Sequence, residues 1–153
     1  MIVVDTSALL AIIQKETESV PFLAMIRHAD RVFVSAVTVF EASIVLHARR
    51  GRDGTNDLAD LIDAMGIDIV SFDVASAQAA LDGFRAFGKG IHPKARLNLG
   101  DCAAYALAKG MNVPLLYKGN DFAATDLPDC HGRRPGCGQP LRGARRPLEL
   151  ERG

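Results

Sequence analysis

The stretch MIVVDTSALLAIIQ, residues 1–14, decides the fold: an apolar run, IVV, stops at Asp5, and an apolar segment of helical length resumes at Ala8. The run reads as a short strand, and Thr6 or Ser7, or Asp5 itself, can supply the N-cap oxygen of the helix that follows. The chain therefore opens strand, turn, helix, with a carboxylate at the turn.

The alternation continues outward from there. Residues 17–29 fit a helix with Phe22, Met25 and Ile26 at helical spacing and Pro21 in its first turn, and VFVS, residues 32–35, fits a strand. Residues 37–50 (VTVFEASIVLHARR) form an apolar helix whose closing arginines suit a helix C-terminus. Residues 56–65 carry Leu58, Leu61, Ile62 and Met65 as a one-sided helical stripe that needs a partner. GIDIVSF, residues 66–72, is a strand after a C-cap glycine, and residues 74–87 are an Ala-rich helix closed by Gly88. The loop GKGIHPKAR, residues 88–96, precedes a helix from Asp101 to about Lys109, and Pro114 to Tyr117 is a last strand. Short strands separated by helices require parallel pairing with crossovers, so the expected class is α/β: three layers, α/β/α, around a parallel sheet of about four to five strands. In such sheets ligands bind beyond the carboxyl ends of the strands.

Length and composition set the bounds. A chain of 153 residues, 48% hydrophobic and 24% charged, suits one soluble domain. No apolar run approaches the roughly 18 residues a membrane span needs. The N-terminus has no basic residues ahead of its apolar run, so no secretory signal is expected and the cytoplasm is the default. Cys102, Cys130 and Cys137 are odd in number and lack paired metal spacing, which favours free thiols. The net charge of zero divides unevenly: residues 1–130 carry 12 Lys/Arg against 16 Asp/Glu, and residues 131–153 carry 6 against 2. Residues 1–130 are read as the folded domain. Residues 131–153, rich in Gly, Pro and Arg, are read as a disordered basic tail, an RNA-binding arm, or a sequence read past the true end.

Four acids stand where chemistry is expected. Asp5 leaves the first strand and Asp121, within GNDF, leaves the last. Asp101 opens its helix; alone it would be an N-cap, stabilised by the helix dipole. Ala104 and Tyr105 follow on its side, where small residues admit a ligand or another chain. Glu41 shares a helical face with Val37, Ile44 and Val45 and has no Lys or Arg at i±3 or i±4. Either that helix turns Glu41 to water, or something cationic meets it. Four converging carboxylates would repel unless protonated or metal-bound. Oxygen-only donors without His or Cys favour Mg²⁺ or Mn²⁺ over zinc, and hydrolysis of a nucleic-acid backbone is the simplest chemistry that follows.

With MIVVDTSALLAI, SAVTVFEAS, FGKGIHPKARLNLGDCAAYALAK and PLLYKGNDFAATDLP in this order, residues 1 to about 128 resemble the PIN-domain ribonucleases, specifically the VapC toxins of VapBC toxin–antitoxin pairs. The resemblance implies a PIN-like fold with Asp5, Glu41, Asp101 and Asp121 as an acidic quartet, Asp5 and Asp101 being its surest metal ligands. It implies that Thr6 or Ser7 orients the first carboxylate and that Asn120 assists in the last loop. Cleavage of structured RNA such as tRNA or rRNA, dependent on Mg²⁺ or Mn²⁺, is implied, as are a homodimer and a cognate VapB-type antitoxin. The stripe Leu58, Leu61, Ile62 and Met65 would form the antitoxin groove, unless it packs on its own core. Lys89, Lys94 and Arg96 would contact RNA, with Arg49, Arg50 and Arg52 as a second patch; all could equally be solvated charges. The tail from His131 has no counterpart in the family pattern, and its removal is expected to leave folding and cleavage intact.

Two other functions compete. A non-toxin PIN nuclease of RNA maturation would differ from a toxin in lacking an adjacent antitoxin gene. A phosphoacceptor or phosphatase domain would also gather aspartates at a sheet edge and place a lysine, here Lys118, after a late strand. It wants a second acid close behind the first, where this chain has Thr6 and Ser7.

Overall fold

The computed structural model describes residues 1–128. The basic tail and the thiols Cys130 and Cys137 lie outside the described residues. Strands β1 (Ile2–Val4), β2 (Val32–Ser35), β3 (Ile67–Val70) and β4 (Leu115–Leu116) form one parallel sheet in the order β3-β2-β1-β4. Helices α1 (Thr6–Ile13), α2 (Ser19–His28), α3 (Ala36–Met65), α4 (Val74–Phe87) and α5 (Leu99–Met111) connect them. The expected three-layer α/β/α architecture is present, with four strands.

The pleat of β1 divides the core. Ile2 and Val4 join a cluster with Leu9, Ile12, Phe22, Ile26, Leu46 and Leu58, under α1, α2 and α3. Val3 faces the other way, into a cluster with Phe33, Leu97, Ala104, Tyr105 and Leu115, under α4 and α5. Both faces of β1 are covered, which explains its unbroken run of β-branched residues. Ala104 is fully buried and Tyr105 nearly so, so the small residues of α5 bring the helix down onto the sheet instead of opening a surface for a ligand or second chain. Among the described residues no helix is long and apolar enough to cross a membrane.

Three boundaries refine or correct the sequence reading. Of the three cap candidates for α1, the structure selects Asp5 over Thr6 and Ser7: its side chain accepts the Ser7 N–H. Helix α5 starts two residues before Asp101, with Asn98 as its N-cap. The helices expected at 37–50 and 56–65 are joined, the break being confined to Gly51 at φ 59°, ψ −141°. That is a left-handed conformation which glycine adopts without strain. The second half then folds closely past the first, since a Cβ on Gly54 would come within 2.7 Å of the Leu46 carbonyl oxygen.

The order of strands places a switch point at the centre of the sheet. The chain moves from β1 to β2 and β3 on one side and returns as β4 on the other, opening a crevice beyond the carboxyl ends of β1 and β4. Asp5 stands at that edge, its N–H donating to the Leu116 carbonyl at 2.9 Å.

Candidate active site

Asp5 is only 2% exposed. Its Oδ2 accepts hydrogen bonds from the Ser7 N–H at 2.9 Å and the Ser7 hydroxyl at 2.6 Å. Its Oδ1 is buried and, among the described residues, has no hydrogen-bond partner. Burial raises the carboxyl above the ordinary carboxylate value, the bonds from Ser7 oppose that, and the charge of Glu41 adds to it. The Ser7 hydroxyl also accepts the Lys118 N–H at 2.9 Å, tying Asp5 to the loop that follows β4.

Asp101 occupies the third position of α5, where it and Asn98 form a capping box. The Asp101 N–H donates to Asn98 Oδ1 at 2.9 Å, and the Asn98 N–H donates to Asp101 Oδ2 at 2.8 Å. One carboxylate oxygen is thus engaged by the helix start. Burial pushes the Asp101 carboxyl up to about 7, against the Asn98 bond and with further help from Asp5, Asp121 and Glu41. Asp5, Glu41 and Asp121 therefore all lie within electrostatic reach of Asp101, although the four come from separate parts of the chain.

Glu41 sits in the second turn of α3, half-buried at the edge of the helix. The core stripe of that helix is Thr38, Ala42 and Leu46, while Ile44 is 53% exposed, so the face predicted for burial is turned by about a third of a circle. The Thr6 hydroxyl donates to Glu41 Oε2 at 2.6 Å, and Gly100 of α5 lies against the carboxylate. Thr6 and Ser7 thus divide their work, Ser7 holding Asp5 and Thr6 holding Glu41. Asp121 and Asn120 are exposed in the loop after β4, and the Asp121 carbonyl accepts the Arg96 N–H.

The basic candidates Lys89, Lys94 and Arg96 are all exposed on the α4–α5 connection, which is folded back by bonds between Lys89 and Leu97 and between Leu97 and Phe87. Nδ1 of His92 accepts the N–H groups of Lys94 and Ala95. In the second patch, Arg50 pairs with Asp57 and Arg49 bonds to Gln14. Lys118 is paired with Glu16 and Glu18, which holds its ammonium on the α1–α2 connection and removes the chief argument for a phosphoacceptor.

Of the two readings of the α3 stripe, the structure favours the core. Leu58 and Ile62 are buried, and the partly buried Leu61 and Met65 pack on the same cluster. An open apolar groove of about 440 Å³ lies between α3, α4 and α5, lined by Val37, Phe72, Leu81, Phe84, Leu99 and Cys102.

Asn98 and Gly100 escaped the sequence reading. The pattern N-x-x-D over residues 98–101 carried the signal for Asn98, as a capping box. Nothing local signals Gly100, whose role depends on Glu41, 59 positions earlier.

The donors fit a hard divalent cation. They are oxygens only, and one buried carboxylate oxygen lacks a hydrogen-bond partner among the described residues. Among the described residues no three acids, histidines or cysteines close on a single point. A cation here would rest on one or two carboxylates and water, the arrangement Mg²⁺ commonly adopts.

Comparison with known proteins agrees with this architecture. The PIN domain family model matches residues 2–127. A VapC ribonuclease of Mycobacterium bovis is 39% identical over 126 residues, covering 82% of this chain and 95% of that protein. Ribonuclease VapC of Mycolicibacterium smegmatis is 36% identical over 129 residues, covering 84% and 99%. Among solved structures, the fold is similar to that of a Mycobacterium tuberculosis VapC toxin described as cleaving the sarcin–ricin loop, with a TM-score of 0.69 at 15% identity over 84% of this chain and 98% of that one. A toxin–antitoxin complex from Klebsiella pneumoniae gives a TM-score of 0.61 at 16% identity over 82% and 93%. With a buried carboxylate at the switch point, three further acids around it and relatives matched along nearly their whole length, the chain belongs to the PIN-domain family, among the VapC ribonucleases.

Proposed function

We propose that the acidic pocket is the site of a Mg²⁺- or Mn²⁺-dependent endoribonuclease and that the protein is the toxin of a type II, VapBC-type toxin–antitoxin pair. The observation that carries this is Asp5 Oδ1, a carboxylate oxygen buried without a partner in a pocket whose other ionisable groups are acids. Such an oxygen is tolerated when the carboxyl is protonated or when a cation meets it. When bound, a divalent ion supplies Lewis-acid chemistry, making water a better nucleophile and offsetting charge on the phosphodiester.

The chain's own residues hold and orient. Asp5 offers Oδ1 while Ser7 fixes Oδ2, and Asp101 offers the oxygen that Asn98 does not engage. Glu41 keeps Oε2 on the Thr6 hydroxyl, which leaves Oε1 to accept a proton. Asp121 completes the acidic wall from the last loop, with Asn120 beside it. Lys89, Lys94 and Arg96 supply positive charge at the rim, where a phosphate backbone would otherwise meet an acidic pocket. The hydrogen bond from the Arg96 N–H to Asp121 couples that rim to the wall.

Structured RNA, tRNA or rRNA, is the proposed substrate, cut in the cytoplasm. The names of relatives at 36–39% identity support a ribonuclease, and the solved toxin–antitoxin complexes of like fold support an antitoxin partner. The groove beside Leu99, together with the exposed Phe40 and Ile44 on α3, offers apolar surface for that antitoxin and for a second copy of the chain. Purified protein stripped with EDTA should cleave tRNA or rRNA only after Mg²⁺ or Mn²⁺ is restored. Cleavage that persists in EDTA would defeat the proposal. Growth arrest on expression, relieved by the neighbouring gene product, identifies a toxin; cleavage without arrest identifies a maturation nuclease.

A further inference from the structure

The first turn of α5 runs directly against Glu41. A Cβ at Gly100 would stand 2.0 Å from Glu41 Oε2, 2.4 Å from Cδ and 2.6 Å from Oε1, all well inside van der Waals contact. These three atoms belong to one carboxylate at the end of a flexible side chain, so an added methyl group displaces the carboxylate and leaves the helix in place. The backbone makes no demand for glycine: Gly100 is not among the positive-φ residues, and alanine is the better helix former by about 1 kcal/mol. The three nearest atoms all belong to the Glu41 carboxylate, which accounts for the missing side chain.

The seat also explains how Glu41 is tolerated. Among the described residues no Lys, Arg or His pairs with it. Its support is the Thr6 hydroxyl and the first turn of α5, where unsatisfied N–H groups and the helix dipole favour negative charge. The residue after Gly100 is Asp101, so the same close approach delivers the charge of Glu41 to the Asp5 and Asp101 carboxyls.

We infer that Gly100 is a positioning residue: its absent side chain is the seat that brings the Glu41 carboxylate into the acidic pocket and so sets the pocket's affinity for a divalent cation. The inference rests on the pocket being a cation site. It is tested on the full chain with G100A, E41A and G100A/E41A, measuring thermal unfolding in EDTA, Mn²⁺ binding by titration calorimetry, and Mn²⁺-dependent RNA cleavage. G100A should unfold in EDTA at or above the wild-type temperature yet bind Mn²⁺ about 10-fold or more weakly, as loss of a supporting group at a metal site does. In the E41A background the same change should add nothing. Should G100A fail to fold, recovery in G100A/E41A supports Glu41 as the obstruction, and failure of both overturns the inference. Wild-type Mn²⁺ affinity in G100A overturns it, as does equal weakening in both backgrounds. A wild-type protein that binds no Mn²⁺ overturns the cation site itself, and the inference with it.

Discussion

Asn98 and Asp101 cap each other, each accepting the other's backbone N–H, at 2.8 and 2.9 Å. The acid that heads α5 is therefore both a helix-starting residue and a member of the acidic pocket, because the box engages a single oxygen of its carboxylate. Asp101→Asn separates the two roles. An amide oxygen can still accept the Asn98 N–H, and the substitution removes a charge from a crowded pocket. The metal-free variant should be at least as stable as the wild type at pH 8, while Mn²⁺ affinity and cleavage fall roughly 100-fold or more, beyond what loss of a supporting group costs. Retained cleavage together with a loss of about 1 kcal/mol would reduce Asp101 to a cap.

The metal-free protein should lose stability as pH rises. Asp101 titrates near 7 in the fold, against 3.8 as its ordinary value, so the folded state binds the proton more tightly than the unfolded chain. Its contribution is fully present below about pH 4 and disappears as pH rises through 7. Solvent screening of the partly exposed carboxyl keeps this contribution below the roughly 4 kcal/mol that a fully buried group would give. Chemical denaturation in EDTA at pH 5 and pH 8 measures it. Mn²⁺ should reverse the trend, since it competes with the proton, and saturation at 100 times Kd returns about 2.7 kcal/mol. A metal-free protein more stable at pH 8 than at pH 5 would contradict a buried, crowded Asp101.

Ser7→Ala tests the link between Asp5 and the last loop. It removes the hydroxyl that donates to Asp5 Oδ2 and accepts the Lys118 N–H, while the Ser7 N–H remains on Asp5. Cleavage should fall about 10- to 100-fold, with a stability loss near 1 kcal/mol. Unchanged cleavage would show that the backbone N–H alone holds Asp5 in place.

The rim is tested by charge reversal. Lys94→Glu and Arg96→Glu should each raise KM for RNA and reduce the salt dependence of binding by about one counterion per lost contact, leaving kcat nearly unchanged. Their exposure predicts little effect on thermal unfolding. A loss of kcat without a change in KM would move these residues from the binding surface to the chemistry.

The alternation of strand and helix, the parallel sheet and the positions of the four acids along the chain were legible in the sequence, because they follow from apolar periodicity and turn chemistry within a few residues. Asp5 shows this well, as the residue that ends IVV must leave the carboxyl edge of a strand. The orientation of Glu41 was not legible. Its face is set by where α3 meets α1 and α5, and the local pattern of Val37, Ile44 and Val45 pointed to the wrong side of the helix. Nor could the sequence decide that the stripe from Leu58 to Met65 closes the protein's own core, because an apolar helix face is the same whether chain or partner covers it. Contacts across 35 to 111 positions, Thr6 to Glu41 and Ser7 to Lys118, arise only when the crossovers pack. That packing brings Asp5, Glu41 and Asp121, from separate parts of the chain, within electrostatic reach of Asp101.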